Sequence, residues 1–320
     1  MTPQNDHEKR SSAMITDQEH RKVIVFELRR LRLLHELALR GTLSAVAEAL
    51  SYSPSTISQQ LAQLERDAGV PLLVPDGRRV RLTEHGAALA AHAARALELE
   101  EAIRGELESL QPGIAPVRIA AMQTAAHAIL PAALEQLAIH EPAVRVEVAE
   151  LPPEEGLFEL SARRFDLVIA EQYPGQTRAH QAGLERVVLG NDPIRLALPA
   201  TYDAEGLAAL RDRAWVMEPH GTAARQWAVQ QCRAAGFEPD VRFELADLTA
   251  HVGLIRSGVA VGLLPDLVWV DAEASLRLLP LPGEPAREVF TALRESSRTR
   301  PGIRAVQAAL QAAFPAPTQS

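Results

Sequence analysis

From Phe26 to Gly69 the chain is cut by hard stops into three short amphipathic pieces, a pattern few folds accept. Leu28, Leu31, Leu34 and Ala38 recur at helical spacing, and Gly41 follows as a left-handed cap. Thr42 is placed to cap a second helix over residues 43–50, because its hydroxyl can accept from a free first-turn N–H. Ser51 and Tyr52 leave room only for a tight turn. Ser53 then caps a third helix, with Pro54 in the first turn, where a missing N–H forfeits no hydrogen bond. Gly69 stops that helix. Two β-prone pieces around Pro75-Asp76-Gly77 predict a hairpin, and Thr83 is placed to cap a long helix over 84–110. Together these pieces predict a winged helix-turn-helix over residues 23–83. A disordered tail is expected over 1–22, and a linker or dimerisation helix over 84–110.

Charge separates along the chain as that reading requires. Residues 1–20 carry 2 basic and 4 acidic side chains, residues 21–95 carry 11 and 7, and residues 96–320 carry 20 and 30. Phosphate attraction is local, so the overall charge of −8 does not exclude nucleic acid. On a helical wheel of the third helix, Ile57, Leu61 and Leu64 share the inward face. Ser55, Gln59 and Arg66 fall opposite, with Ser58 on the flank. Such a small, polar face suits the major groove of duplex DNA, where hydroxyl and amide groups reach base edges. Arg78, Arg79 and Arg81 supply a wing for phosphates or the minor groove, and Ser44 is placed to donate to a phosphate. In the long helix Leu89, Ala93, Ala96, Ile103, Leu107 and Leu110 form an imperfect apolar seam, which predicts a homodimer.

The residues 111–116, Gln-Pro-Gly-Ile-Ala-Pro, break the helix and read as a linker. Beyond it strands alternate with helices. Strands are expected at 117–121, 144–148 and 166–170, then at 194–199, 214–217, 241–245 and 259–264. Helices fall between them, at about 155–163, 204–210, 222–235 and 248–256, and one ends near 140. The first set predicts a parallel sheet covered on both faces, and the two sets predict two α/β lobes over 117–314 with a cleft between them. Ligands in such lobes lie beyond the carboxyl ends of strands. That rule selects Gln123 and Thr124 after the first strand, Glu171 after the third, Glu218, His220 and Thr222 after the strand at 214–217, and Asp247 after a later one. Gln123 and Thr124 are expected to be able to bind a carboxylate. Glu171, Glu218, His220 and Asp247 make the predicted pocket acidic, which points to an amine or amino acid as the small-molecule effector.

The pieces 41–50, Ser53-Pro54-Ser55-Thr56-Ile57-Ser58-Gln59-Gln60-Leu61, Leu64-Glu65, Gly69-Val70-Pro71-Leu72-Leu73 and 77–86 follow one another at spacings that need no insertion. In these, residues 26–90 resemble the DNA-binding domain of LysR-type transcriptional regulators. Phe243-Glu244-Leu245 and the run 254–265 resemble the late effector-domain pattern of the same family. The resemblance implies an α+β chain: winged helix-turn-helix, long linker helix, and a two-lobed effector domain like a periplasmic binding protein. Lobe I would comprise about 117–190 and 285–314, and lobe II about 191–284. It further implies a homodimer or homotetramer, double-stranded DNA as partner, and DNA contacts on Ser53, Pro54, Ser55, Ser58 and Gln59, with a wing arginine at Arg78 or Arg79. The residue after Ser58 is often arginine in the family and is Gln59 here.

Other function classes find little support. No apolar run reaches about 18 residues, so no membrane span is expected. The polar N-terminus has no export signal and the single cysteine, Cys232, suits a reducing compartment, so a cytoplasmic location is expected. No Gly-x-Ser-x-Gly elbow, phosphate-binding glycine loop or zinc-spaced histidine pair occurs, and His85 and His92 read as surface residues. Neither catalysis, a cofactor nor a metal is expected. The alternatives are a solute-binding protein or a metabolic enzyme with an unrelated N-terminal helical domain.

Overall fold

Three helices open the described chain: α1 (Leu28–Arg40), α2 (Leu43–Leu50) and α3 (Pro54–Ala68). The structure, a computed structural model, describes residues 25–77, 79–111, 116–176, 183–269 and 276–315. The expected tail over 1–22 and the wing residue Arg78 lie outside the described residues.

Each boundary has a local cause. Gly41 and Gly69 take φ of 74° and 70°, where a side chain is strained, and return N–H groups to Leu37 and Glu65. Thr42 accepts from the Ala45 N–H (3.2 Å) and Ser53 from the Thr56 N–H (3.1 Å). The hairpin pairs β1 (Leu73–Asp76) with β2 (Arg79–Leu82), antiparallel. Glu65 fixes its entry, accepting from the N–H groups of Leu72 and Leu73. Helix α4 (Glu84–Leu110) follows. A Cβ at Gly86 would lie 2.1 Å from the Leu72 carbonyl oxygen, so only glycine lets α4 start this close to the hairpin. Leu31, Leu34, Val46, Ile57, Leu61, Leu64 and Ala93 share one core, with Leu89 and Ala96 packed against it.

Two compact units are distinguished, residues 1–98 and 99–320, so the division falls inside α4 rather than at either of its ends. In the second unit, parallel strands β3 (Val117–Ala121), β4 (Val146–Glu150) and β5 (Leu167–Gln172) alternate with helices α5 (Gln123–Ala128), α6 (Leu130–His140) and α7 (Pro153–Ser161). Strand β6 (Leu184–Pro199) is 16 residues long and belongs to both lobes. Its first part pairs with β11 (Ala286–Arg294) as far as Pro193. From Ile194 it pairs instead with β9 (Gly262–Pro265) and β10 (Leu276–Pro280). The second lobe adds β7 (Ala214–Met217), α8 (Ala223–Ala234), β8 (Asp240–Glu244) and α9 (Leu248–Arg256). Strand β11 then returns the chain to the first lobe, antiparallel to β5, and α10 (Pro301–Ala313) packs on α6.

The first sheet is therefore mixed, not wholly parallel. Its carboxyl-end edge at β3 and β5 faces the corresponding ends of the second lobe across a cleft.

Candidate functional site

In the first unit, Ile57, Leu61 and Leu64 of α3 are buried, while Ser53, Pro54, Ser55, Ser58 and Gln59 are all exposed. The polar face is thus turned outward. The Ser53 hydroxyl is partly occupied, lying 2.8 Å from the hydroxyls of Ser55 and Thr56. Ser44, in the first turn of α2, and Arg79 and Arg81, on β2, are exposed as well. Tyr52, which the sequence reading treated only as a turn residue, accepts from Arg29 Nη2 (2.9 Å) beside this face.

In the second unit the cleft between the lobes encloses about 270 Å³. Gln123, Thr124, Glu171, Glu218 and Thr222 line it. His220 does not: its side chain is 80% exposed and lies 3.5 Å from Glu244 Oε2. Asp247 is exposed and lies outside the lining, between its members Ala246 and Leu248. Its carboxylate accepts from Gln123 Nε2 (2.6 Å) and from the Thr249 N–H that it caps (2.8 Å). The Gln123 hydrogen bond holds the Asp247 carboxyl below its ordinary range. Gln123 Oε1 also accepts from the Leu248 N–H (2.9 Å), so one amide bridges α5 to the start of α9. The side chains expected to receive a carboxylate are therefore already engaged, Gln123 with α9 and Thr124 with Arg287 (2.7 Å).

Arg287 organises the floor. It is buried on β11 directly opposite Asp192 of β6. Its Nε and Nη2 donate to Asp192 (2.9 and 2.8 Å), Nη2 donates to Thr124, and Nη1 to Glu171. Burial alone would lower its pKa, but the charges of Glu171 and Asp192 hold it well above the usual value. Burial pushes the Asp192 carboxyl up against the pull of Arg287. The Glu218 carboxyl has no hydrogen-bond or ion-pair partner among the described residues. Burial and then the nearby Glu171 charge push it up to about 8, with Arg287 opposing. The sequence reading missed Arg287, Glu150 and Glu154. Glu150 ends β4 and Glu154 lies in the first turn of the following α7, where the strand-end rule would have found them.

The profile of the bacterial regulatory helix-turn-helix protein, lysR family, matches residues 28–87, and that of the LysR substrate binding domain matches residues 113–315. The chain belongs to the LysR family. It is a DNA-binding transcriptional regulator with an effector-binding domain. Among its relatives, a probable hydrogen peroxide-inducible genes activator of Mycobacterium avium is 30% identical over 282 residues, 83% of this chain and 88% of that protein. The transcriptional dual regulator GltC of Bacillus subtilis (strain 168) is 28% identical over 251 residues, 77% of this chain and 82% of that protein. A full-length OxyR variant of Pseudomonas aeruginosa has the same fold, with a TM-score of 0.65 at 21% identity, over 90% of this chain and 95% of that one. No helix among the described residues of this LysR-family chain is long and apolar enough to cross a membrane.

Proposed function

We propose that this LysR-family regulator reads duplex DNA with Ser55, Ser58 and Gln59 of α3, anchored by Ser44, Ser53, Pro54 and the wing arginines Arg78 and Arg79, and that a small molecule in the cleft between its lobes controls the outcome. It works in the cytoplasm, as a homodimer or a pair of dimers, and without catalysing a reaction. The observation that carries the DNA reading is the turning of α3, with its apolar side chains in the core and its short polar ones in solvent. Hydroxyl and amide groups there can reach base edges, while a wing arginine meets any phosphate alike. Gel shifts on a selected duplex and on random duplex test this. Gln59→Ala is expected to relax base preference, at about 1–3 kcal/mol of discrimination, and Arg79→Ala to weaken all duplexes alike with a shallower salt dependence. A uniform loss from Gln59→Ala would remove its base-reading role.

Helix α4 supports the dimer in a different way from the expected seam. Leu89, Ala93 and Ala96 are taken up by the core of their own unit. Leu99, Ile103, Leu107 and Leu110 remain exposed, at spacings of four, four and three residues that keep them on one helical face, as a coiled contact needs. Changing Ile103 and Leu107 together to glutamate is expected to halve the mass found by light scattering at micromolar concentration. An unchanged mass would place the contact elsewhere.

The relatives named for hydrogen peroxide do not set this chain's signal. Thiol oxidation needs an accessible thiolate. Burial pushes Cys232, the chain's one cysteine, up to about 12.

A further inference from the structure

We propose that the effector of this regulator is a small molecule with a primary amine, held as its ammonium ion by Glu218 in the cleft between the lobes. This rests on the reading of that cleft as the control site.

Charge accounting in the cleft leads there. Among the described residues of its lining are four glutamates, Glu150, Glu154, Glu171 and Glu218, and one cation, Arg287. That guanidinium is already shared between Glu171 and Asp192 and donates its remaining reach to Thr124. An anionic effector would therefore meet no uncommitted positive side chain among the described residues of the lining, and would lie beside the Glu218 carboxyl. A neutral one could hydrogen-bond to Glu218 but would bring no charge to balance its carboxylate, which has no ion-pair partner among the described residues. Glu218 is half-buried in the lining of the cleft, and burial disfavours its charged form. An ammonium group supplies the charge and the three donors that this acid lacks. Met122, Leu151, Leu248 and the prolines of the lining give the rest of the molecule an apolar wall.

The groups around Glu218 make this binding proton-linked. Glu171 on β5 and Glu154 on α7 face it and disfavour its charge; Arg287 on β11 favours it. Arg225 on α8 is turned to the Glu218 carbonyl (3.1 Å) and not to its carboxyl. His251 on α9 donates to the Leu245 carbonyl (2.8 Å), and burial keeps it below its usual value and so uncharged at neutral pH. Tyr173, beside Glu171, is pushed up by burial and stays a neutral phenol. With a carboxyl titrating at about 8, the empty cleft carries Glu218 protonated at neutral pH. The arriving ammonium ion then forms its ion pair as Glu218 releases that proton to solvent. Affinity must rise with pH below about 8, roughly tenfold per unit, since the ligand competes with a proton.

Phenethylamine, phenylalanine and phenylacetate share one body and differ in charge, so they serve as probes on the full-length protein. Both amines, or the zwitterion alone, are expected to raise the melting temperature at millimolar concentration. The stabilising compound should bind about fifty-fold tighter at pH 8 than at pH 6. Titration in phosphate and in Tris should show proton release at pH 7. Glu218→Gln should abolish both the stabilisation and the proton release while leaving DNA binding intact. Stabilisation by phenylacetate alone, no shift with either amine-bearing probe, or amine binding without proton release would overturn the proposal. The control reading fails separately. If an amine binds through Glu218 but the complex with a selected duplex is unchanged in affinity and footprint, the ligand class stands and the regulatory role of the cleft falls.

Discussion

Arg287→Met is expected to destabilise the effector-binding unit by about 3–5 kcal/mol in urea denaturation at pH 7, the range seen when one member of a buried ion pair is removed. The side chains are of similar length, so packing changes little. What changes is the fate of Glu171 and Asp192, both buried and both ion-paired to this guanidinium. Without it two carboxylates stand close together in a poorly polarisable site, and at least one must take up a proton. The loss should therefore shrink as the pH is lowered towards 5, because protonation relieves it. Adding Asp192→Asn and Glu171→Gln to Arg287→Met should recover most of the stability, since replacing every member of a buried charge cluster is far milder than removing one. A single variant within about 1 kcal/mol of the parent, or no gain in the triple variant, would mean that Arg287 does not hold the cleft floor.

That arginine also shows where sequence reading stops. The caps at Thr42, Ser53, Gly41 and Gly69 are decided by residues within four positions of one another, and the structure places the helices between them accordingly. The outward face of α3 follows from the same short-range geometry. Glu171 and Glu218 were found because parallel strands deliver their carboxyl ends to one edge, a rule that needs only the order of elements. Arg287 lies 116 residues from Glu171 and 95 from Asp192, on an antiparallel strand that no local pattern ties to the cleft. Strand β6 begins ten residues before the expected 194, and it runs through Gly190-Asn191-Asp192-Pro193, residues that ordinarily interrupt a strand. In the structure those residues are where the strand exchanges β11 for β9 and β10, so proline sits at a change of partner. His220 satisfied the strand-end rule but points to solvent, since the rule locates a loop and not the direction of a side chain.

Glu101→Gln is expected to lower the stability of the same unit by about 3 kcal/mol at pH 7, with a loss that fades in acid. Glu101 lies on α4 just inside the second unit and is buried. Arg294 donates Nε and Nη2 to its carboxylate (2.6–3.0 Å), Arg163 and Ser296 each at 2.6 Å. Burial would raise its pKa, but the hydrogen bond and charge of Arg294, then Ser296 and Arg163, outweigh this and hold it at about 2. A carboxyl whose pKa is lowered on folding stabilises fully above its unfolded value of 4.5 and loses that contribution as pH falls towards 2. Parent and variant should therefore differ most at neutral pH and converge between about pH 5 and pH 2. A difference independent of pH would assign the loss to shape and not to charge. Light scattering separates this from assembly. At about 100° per residue, Glu101, Gly105 and Glu108 lie on the side of α4 opposite Leu99, Ile103, Leu107 and Leu110. Glu101→Gln should thus leave the dimer mass unchanged below the melting transition, while the Ile103 and Leu107 glutamates dissociate it without moving the acid limb. One helix then carries two independent jobs: an ionic face fastens it to the effector-binding unit, and an apolar face is left for a second copy of the chain.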